Sequence, residues 1–146
     1  MESRRIRDKS TNNEKEINMK LYHGSPKKLK IIRPSQAKGL TQFEDQKAIF
    51  LCKTFHHAAL YAIGKSLKGK TPFAVTPTKL IIVGDKKPKS GYVYEVNVKG
   101  KKGERQQYSY EKEIREFKIK KVYPKNYLKS IIYVGDMQEL KNKLRI

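Results

Sequence analysis

Three patches of the chain carry side chains able to do chemistry. In Tyr22-His23-Gly24-Ser25 an imidazole precedes a glycine that leaves bare backbone open to a ligand. In residues 55–67, His57 and Tyr61 lie one helical turn apart, with Ala58 three residues before Tyr61. They fall off the apolar stripe of Ala59, Leu60, Ile63 and Leu67. In Glu111-Lys112-Glu113-Ile114-Arg115-Glu116-Phe117, Glu116 is a carboxylate on the non-core face of a strand with apolar and basic neighbours. Each patch also has an ordinary counterpart: a surface His before a turn, a core helix, an edge-strand charge. Adjacent His56 and His57 diverge around a helix and have no carboxylate one turn away, so no metal site is expected.

The elements that must position these patches follow from periodicity and turn chemistry. A first strand over 19–23 stops at Gly24-Ser25-Pro26. Leu29, Ile31 and Ile32 suit a short extended piece, ended by Arg33-Pro34. Residues 35–47 form a polar loop long enough to be a lid. The run Ile49-Phe50-Leu51-Cys52 is a short buried strand, and Thr54 is the N-cap of the helix that follows. The basic stretch 64–78 holds one short strand at 73–75, and residues 79–83 give another. Over 92–98 apolar and polar residues alternate, with Tyr92, Tyr94, Val96 and Val98 on one face. Residues 99–110 read as a basic connector. A strand over 114–122 turns Phe117 and Ile119 to the core and Glu116 and Lys118 to the other face. A last strand over 128–134 leads through Asp136, with Glu139 three residues on, into a helix over 137–144. The class is α+β, mainly antiparallel, with a few short helices.

Length and composition narrow the setting. The 146 residues suffice for one domain with a real core, placed at 19–146 behind a polar tail at 1–18 expected to be disordered or frayed. No apolar run approaches the ~18 residues of a membrane span, and no secretory leader is visible. One cysteine, Cys52, excludes an internal disulfide framework and makes a reducing cytoplasm the default. The net charge is +20, and 29 basic against 10 acidic residues, +19, fall in 19–146. Such a field suits a polyanion such as nucleic acid, or the phosphates of a cofactor. Lysine outnumbers arginine, the more diagnostic reader of phosphates and bases.

Taken together and in order, the three patches resemble the ADP-ribosyltransferase superfamily, in its diphtheria-toxin and poly(ADP-ribose) polymerase branch. His23-Gly24-Ser25 is similar to that branch's His-Gly-Thr/Ser motif. Residues 48–61 resemble its Gly-Ile-Tyr-Phe-Ala-Asp…Lys-Ser-Ala-Asn-Tyr segment. Glu116-Phe117-Lys118-Ile119 resembles its late Glu-Tyr-x-Val strand. The resemblance implies a split, mostly antiparallel β structure around an NAD cleft. It implies that His23 bonds the adenosine ribose, the Gly24 backbone binds the nicotinamide carboxamide beside Ser25, and Tyr61 stacks on the nicotinamide ring. It implies that Glu116 accepts the 2′-hydroxyl of the nicotinamide ribose and stabilises the cation formed as nicotinamide leaves. Phe50 stands where the family has a tyrosine, and Ala58 where it has a serine that bonds the carboxamide; both substitutions lose a hydroxyl. Ile114 stands two residues before Glu116, where arginine-modifying relatives have Glu, so arginine is not the expected acceptor.

The expected activity is NAD-dependent mono-ADP-ribosyl transfer to a protein or nucleic acid, docked on the basic surface. Lys27, Lys28, Lys30 and Arg33 are placed to serve the NAD pyrophosphate. One alternative is an RNA 2′-phosphotransferase on the same fold, for which Arg33, Arg105 and Arg115 are the arginines available. Another is a non-catalytic basic module that binds nucleic acid, with the Tyr-rich strand 92–98 as a stacking platform.

Overall fold

The computed structural model describes residues 18–36, 47–67, 71–103 and 106–145. All of the expected tail at 1–18 except Asn18, and most of the expected lid at 35–47, lie outside the described residues. Strands are β1 Met19–Ser25, β2 Ser35–Gln36, β3 Lys47–Cys52, β4 Phe73–Val75, β5 Leu80–Val83, β6 Gly91–Val98, β7 Lys101–Lys102, β8 Gln107–Tyr110, β9 Lys118–Val122 and β10 Ile131–Val134. The helices are α1 Phe55–Gly64 and α2 Met137–Leu144, with 3-10 turns at Pro124–Asn126 and Leu128–Ser130. The larger sheet runs β9-β6-β1-β3-β8-β7, with β2 added on β3; its pairings are antiparallel. The smaller runs β10-β5-β4, parallel between β10 and β5 and antiparallel between β5 and β4. The chain is therefore α+β and mainly antiparallel, as the patterning predicts.

Strand alternation divides the large sheet between two cores. Val93 and Cys52 face α1 and pack with Ala58, Ala59, Leu60 and Ile63. Tyr94, Val96 and Leu51 turn the other way, with Leu21, Ile32, Ile49 and Tyr108. Tyr94 is fully buried, and its hydroxyl both donates to the Lys27 carbonyl and accepts from the Leu29 amide, each at 2.6 Å. That pair of bonds ties the turn after β1 to β6, satisfying a phenol that burial would otherwise leave unpaired.

The helix α1 approaches unusually close to the sheet. A Cβ on Gly24 would collide with the Ala58 carbonyl oxygen and lie 2.8 Å from the Ala62 nitrogen. A Cβ on Gly91 would meet the Ala62 carbonyl oxygen at 2.7 Å. Glycine on the strands facing alanine on the helix lets backbone lie against backbone. Thr54 caps this helix as expected, its hydroxyl accepting the His57 amide at 3.2 Å.

Three segments depart from the sequence-based expectation. Residues 99–110 contain β7 and β8, a hairpin that extends the sheet past β3. The expected strand over 114–122 is regular only from Lys118; Ile114 makes an isolated two-bond bridge to Ile32, leaving residues 115–117 outside any strand. The last strand begins at Ile131, because Leu128–Ser130 is a 3-10 turn. The Asp136 cap of α2 is present, its carboxylate accepting the Glu139 amide at 2.9 Å. Glu139 in turn accepts the Gly135 amide at 2.9 Å, completing a capping box shifted one residue back.

Candidate functional site

The sheet parts between its two central strands. β1 and β3 pair only at Tyr22 and Cys52, while β1 continues to pair with β6 as far as Ser25 and β3 continues to pair with β8. A cleft of about 800 Å³ opens at this split. His23, Gly24 and Ser25 line it from β1, Phe50 and Cys52 from β3, Tyr61 and Lys65 from α1 and its end, and Gln107 from β8. Phe73, Val75 and Leu140 add apolar surface from β4 and α2.

His23 bridges the split. Its Nδ1 lies 2.9 Å from the Phe50 carbonyl oxygen, an acceptor only, so Nδ1 carries the proton and donates. Its Nε2 is then left as an acceptor. Burial pulls the imidazole pKa from 6.5 down to about 3, with the charge of Lys65 adding and the Phe50 bond opposing. His23 is therefore neutral at physiological pH and suited to accept a hydroxyl proton in a hydrogen bond.

Tyr61 is held on two sides. His57, itself 1% exposed, stacks on it with ring centroids 5.3 Å apart. Burial, with the charge of His56 adding, brings the His57 pKa to about 4, which keeps that ring neutral too. Its Nδ1 is buried without a hydrogen-bond partner among the described residues. Gln107 is 3% exposed, and its Nε2 donates to the Tyr61 hydroxyl at 2.9 Å. Because β8 pairs Gln107 with Cys52, and Cys52 pairs with Tyr22, side chains of this row share the face that meets α1.

Lys65 closes the end of α1. Its Nζ donates to the Gly24 carbonyl at 3.1 Å and lies 5.7 Å from the Tyr61 ring centre. Burial of the ammonium lowers its pKa from 10.5. Cys52 moves oppositely, pushed by burial to about 12, so its thiol stays protonated and unreactive.

Of the residues singled out from sequence, the cleft gathers His23, Gly24, Ser25, Phe50 and Tyr61, with Arg33 at its rim. Arg33 is already engaged, its Nε 3.4 Å from a Glu113 carboxylate oxygen. The structure does not bring Ala58 or Glu116 to the cleft. Ala58 is fully buried behind Gly24, where the close helix approach hides it. Glu116 is exposed and does not line the cleft. Lys118, two residues on, pairs with Glu95, which pairs with Tyr22. Glu116 itself falls in the irregular stretch between the Ile32–Ile114 bridge and β9, outside the regular strand on which the sequence placed it.

Gln107 and Lys65 were not singled out from sequence. The signal for Gln107 was the aromatic alternation of Tyr108 and Tyr110, which favours a strand inside the basic connector. For Lys65 it was a position one turn beyond Tyr61. No Asp or Glu lines the cleft among the described residues, and no group of three or more His, Cys, Asp or Glu there could hold a metal. No helix among them is long and apolar enough to cross a membrane. Comparisons with family models, curated proteins and solved structures find no match.

Proposed function

We propose that this chain is an ADP-ribosyltransferase-like protein that binds NAD in the cleft between β1 and β3. The observation that carries the reading is the convergence of His23, the Gly24 backbone and Tyr61, distant in sequence, on one cleft. The volume suits a dinucleotide, since ligand sites span ~300–1,000 Å³. In this reading Tyr61 supplies a flat ring for the nicotinamide, and His23 Nε2 accepts a ribose hydroxyl. Gln107, its Nε2 committed to Tyr61, offers Oε1 to a second ribose hydroxyl. The lone buried thiol of Cys52 suits a reducing, cytoplasmic setting.

Transfer would break the bond between C1′ and the nicotinamide nitrogen. The electron pair leaves with nicotinamide, and an acceptor on a protein or nucleic acid attacks C1′ and loses its proton. The cation formed at C1′ calls for a negative charge, whereas Gln107 is neutral. That favours a second reading, binding with little turnover. Isothermal calorimetry with NAD, and release of labelled nicotinamide, separate the possibilities. NAD binding weakened by Tyr61→Ala supports the cleft; absence of NAD binding, or an affinity indifferent to Tyr61→Ala, rejects it.

The basic-module alternative draws support from a different surface. Lys118, Lys120 and Lys121 are exposed on edge strand β9. The Lys121 ammonium lies 6.0 Å from the Tyr92 ring and 5.4 Å from that of Tyr123, itself 41% exposed. Cations interleaved with aromatic faces suit a single-stranded nucleic acid, which is also a natural acceptor for ADP-ribose. The phosphotransferase alternative has less behind it: Arg115 pairs with Glu113 at 2.8 Å away from the cleft, and Arg105 lies outside the described residues.

A further inference from the structure

Among the described residues the ammonium of Lys65 has no counter-charge in the cleft. The groups facing it from the neighbouring elements are His23 on β1, Cys52 on β3 and Tyr61 on α1. The first two are neutral, and no carboxylate lines the cleft among the described residues. The Gly24 carbonyl, where a carboxamide NH₂ would otherwise donate, already accepts from Lys65. A nicotinamide ring laid on Tyr61 would therefore compete with Lys65 for that carbonyl and set its pyridinium charge beside a bare cation.

We infer that the ring subsite selects a planar heteroaromatic carboxylate, so that of two dinucleotides it takes the nicotinate form over the nicotinamide form. The ring lies on Tyr61 and the carboxylate accepts from Lys65 Nζ in a charge-assisted hydrogen bond. The carboxylate also offsets the pyridinium charge, and Lys65 keeps its bond to Gly24. Burial lowers the Lys65 pKa, and an anion fixed beside the ammonium opposes that shift by favouring the charged form. Affinity for the carboxylate form then falls as pH rises towards 10.5, while affinity for the amide form does not.

The inference rests on the NAD reading above, and its test separates the two. Calorimetry is run with NAD and with its nicotinate analogue at neutral pH. The expected result is an analogue about ten-fold tighter than NAD. Lys65→Met should abolish the preference, and Lys65→Arg should keep it. NAD binding as tightly as the analogue, or a preference that survives Lys65→Met, overturns this inference and leaves the NAD reading standing. Binding of neither dinucleotide overturns both.

Discussion

If the cleft binds NAD as proposed, Gln107 presents an amide where chemistry on a ribosyl cation would call for a carboxylate. It is buried, bonded to Tyr61, and held by β8 in register with Cys52. Gln107→Glu changes the charge with little change of shape. We expect that variant to release labelled nicotinamide from NAD faster than the wild type, by about ten-fold or more, since aimed electrostatics are worth several kcal/mol in such sites. Glu116→Ala, which alters an exposed residue that does not line the cleft, should leave the rate within about two-fold. A Gln107→Glu protein that folds and binds NAD without faster release would count against a ribosyl-cation chemistry here. Tyr61→Ala should weaken NAD by about ten-fold, in line with the ~0.5–1.5 kcal/mol of an aromatic pair beyond its buried area.

The split between β1 and β3 depends on how α1 sits beneath it. The alanine face of α1 reaches backbone contact with β1 at Gly24 and β6 at Gly91, and this seats Tyr61 and Lys65 on the cleft wall. Gly24→Ala places a methyl against backbone that has no flexible side chain to move. We expect it to lower unfolding free energy by about 1–3 kcal/mol in urea titration, as overpacking does. It should weaken ligand binding as well. Thr54→Ala removes the α1 cap and should lower stability by about 1 kcal/mol, with the cleft intact. Equal stability of Gly24→Ala and the wild type would show that the helix can retreat.

Two properties belong to the molecule as a whole. His23 and His57 are neutral in the fold down to about pH 3 and 4, against ordinary values of 6.5. Below 6.5 the unfolded chain binds protons that the folded chain refuses, so stability is full above that value and declines as pH falls through the window. The midpoint of thermal unfolding should therefore drop steadily from about pH 6.5 to about pH 4, and His57→Gln should flatten part of that slope. A profile unchanged across the window would contradict buried neutral imidazoles. The net charge of +20 is the other property. Binding to a single-stranded oligonucleotide should weaken steeply with added salt, because each neutralised phosphate releases counterions. Reversing Lys118, Lys120 and Lys121 to Glu should reduce the salt slope by about two to three units, whereas Lys65→Met should not.

The sequence by itself determined the local devices: the Thr54 and Asp136 caps, the strand before α1, the alternation of β6, and the α+β class. These rest on neighbours a few residues apart, where periodicity and side-chain chemistry act directly. His23 and Tyr61 were also legible, because a His-Gly at a strand end and an aromatic off an apolar stripe are local patterns. Which residues meet across the cleft was a tertiary decision. Glu116 read as a strand carboxylate, but it falls between the Ile32–Ile114 bridge and the late start of β9 and does not line the cleft. Gln107 read as part of a connector until pairing with β3 made it a strand and turned its amide to Tyr61. Lys65 read only as part of the basic stretch 64–78, whereas the close seating of α1 on Gly24 brings its ammonium to that carbonyl. Strand partners and helix depth are set by contacts tens of residues apart, and no window along one chain contains them.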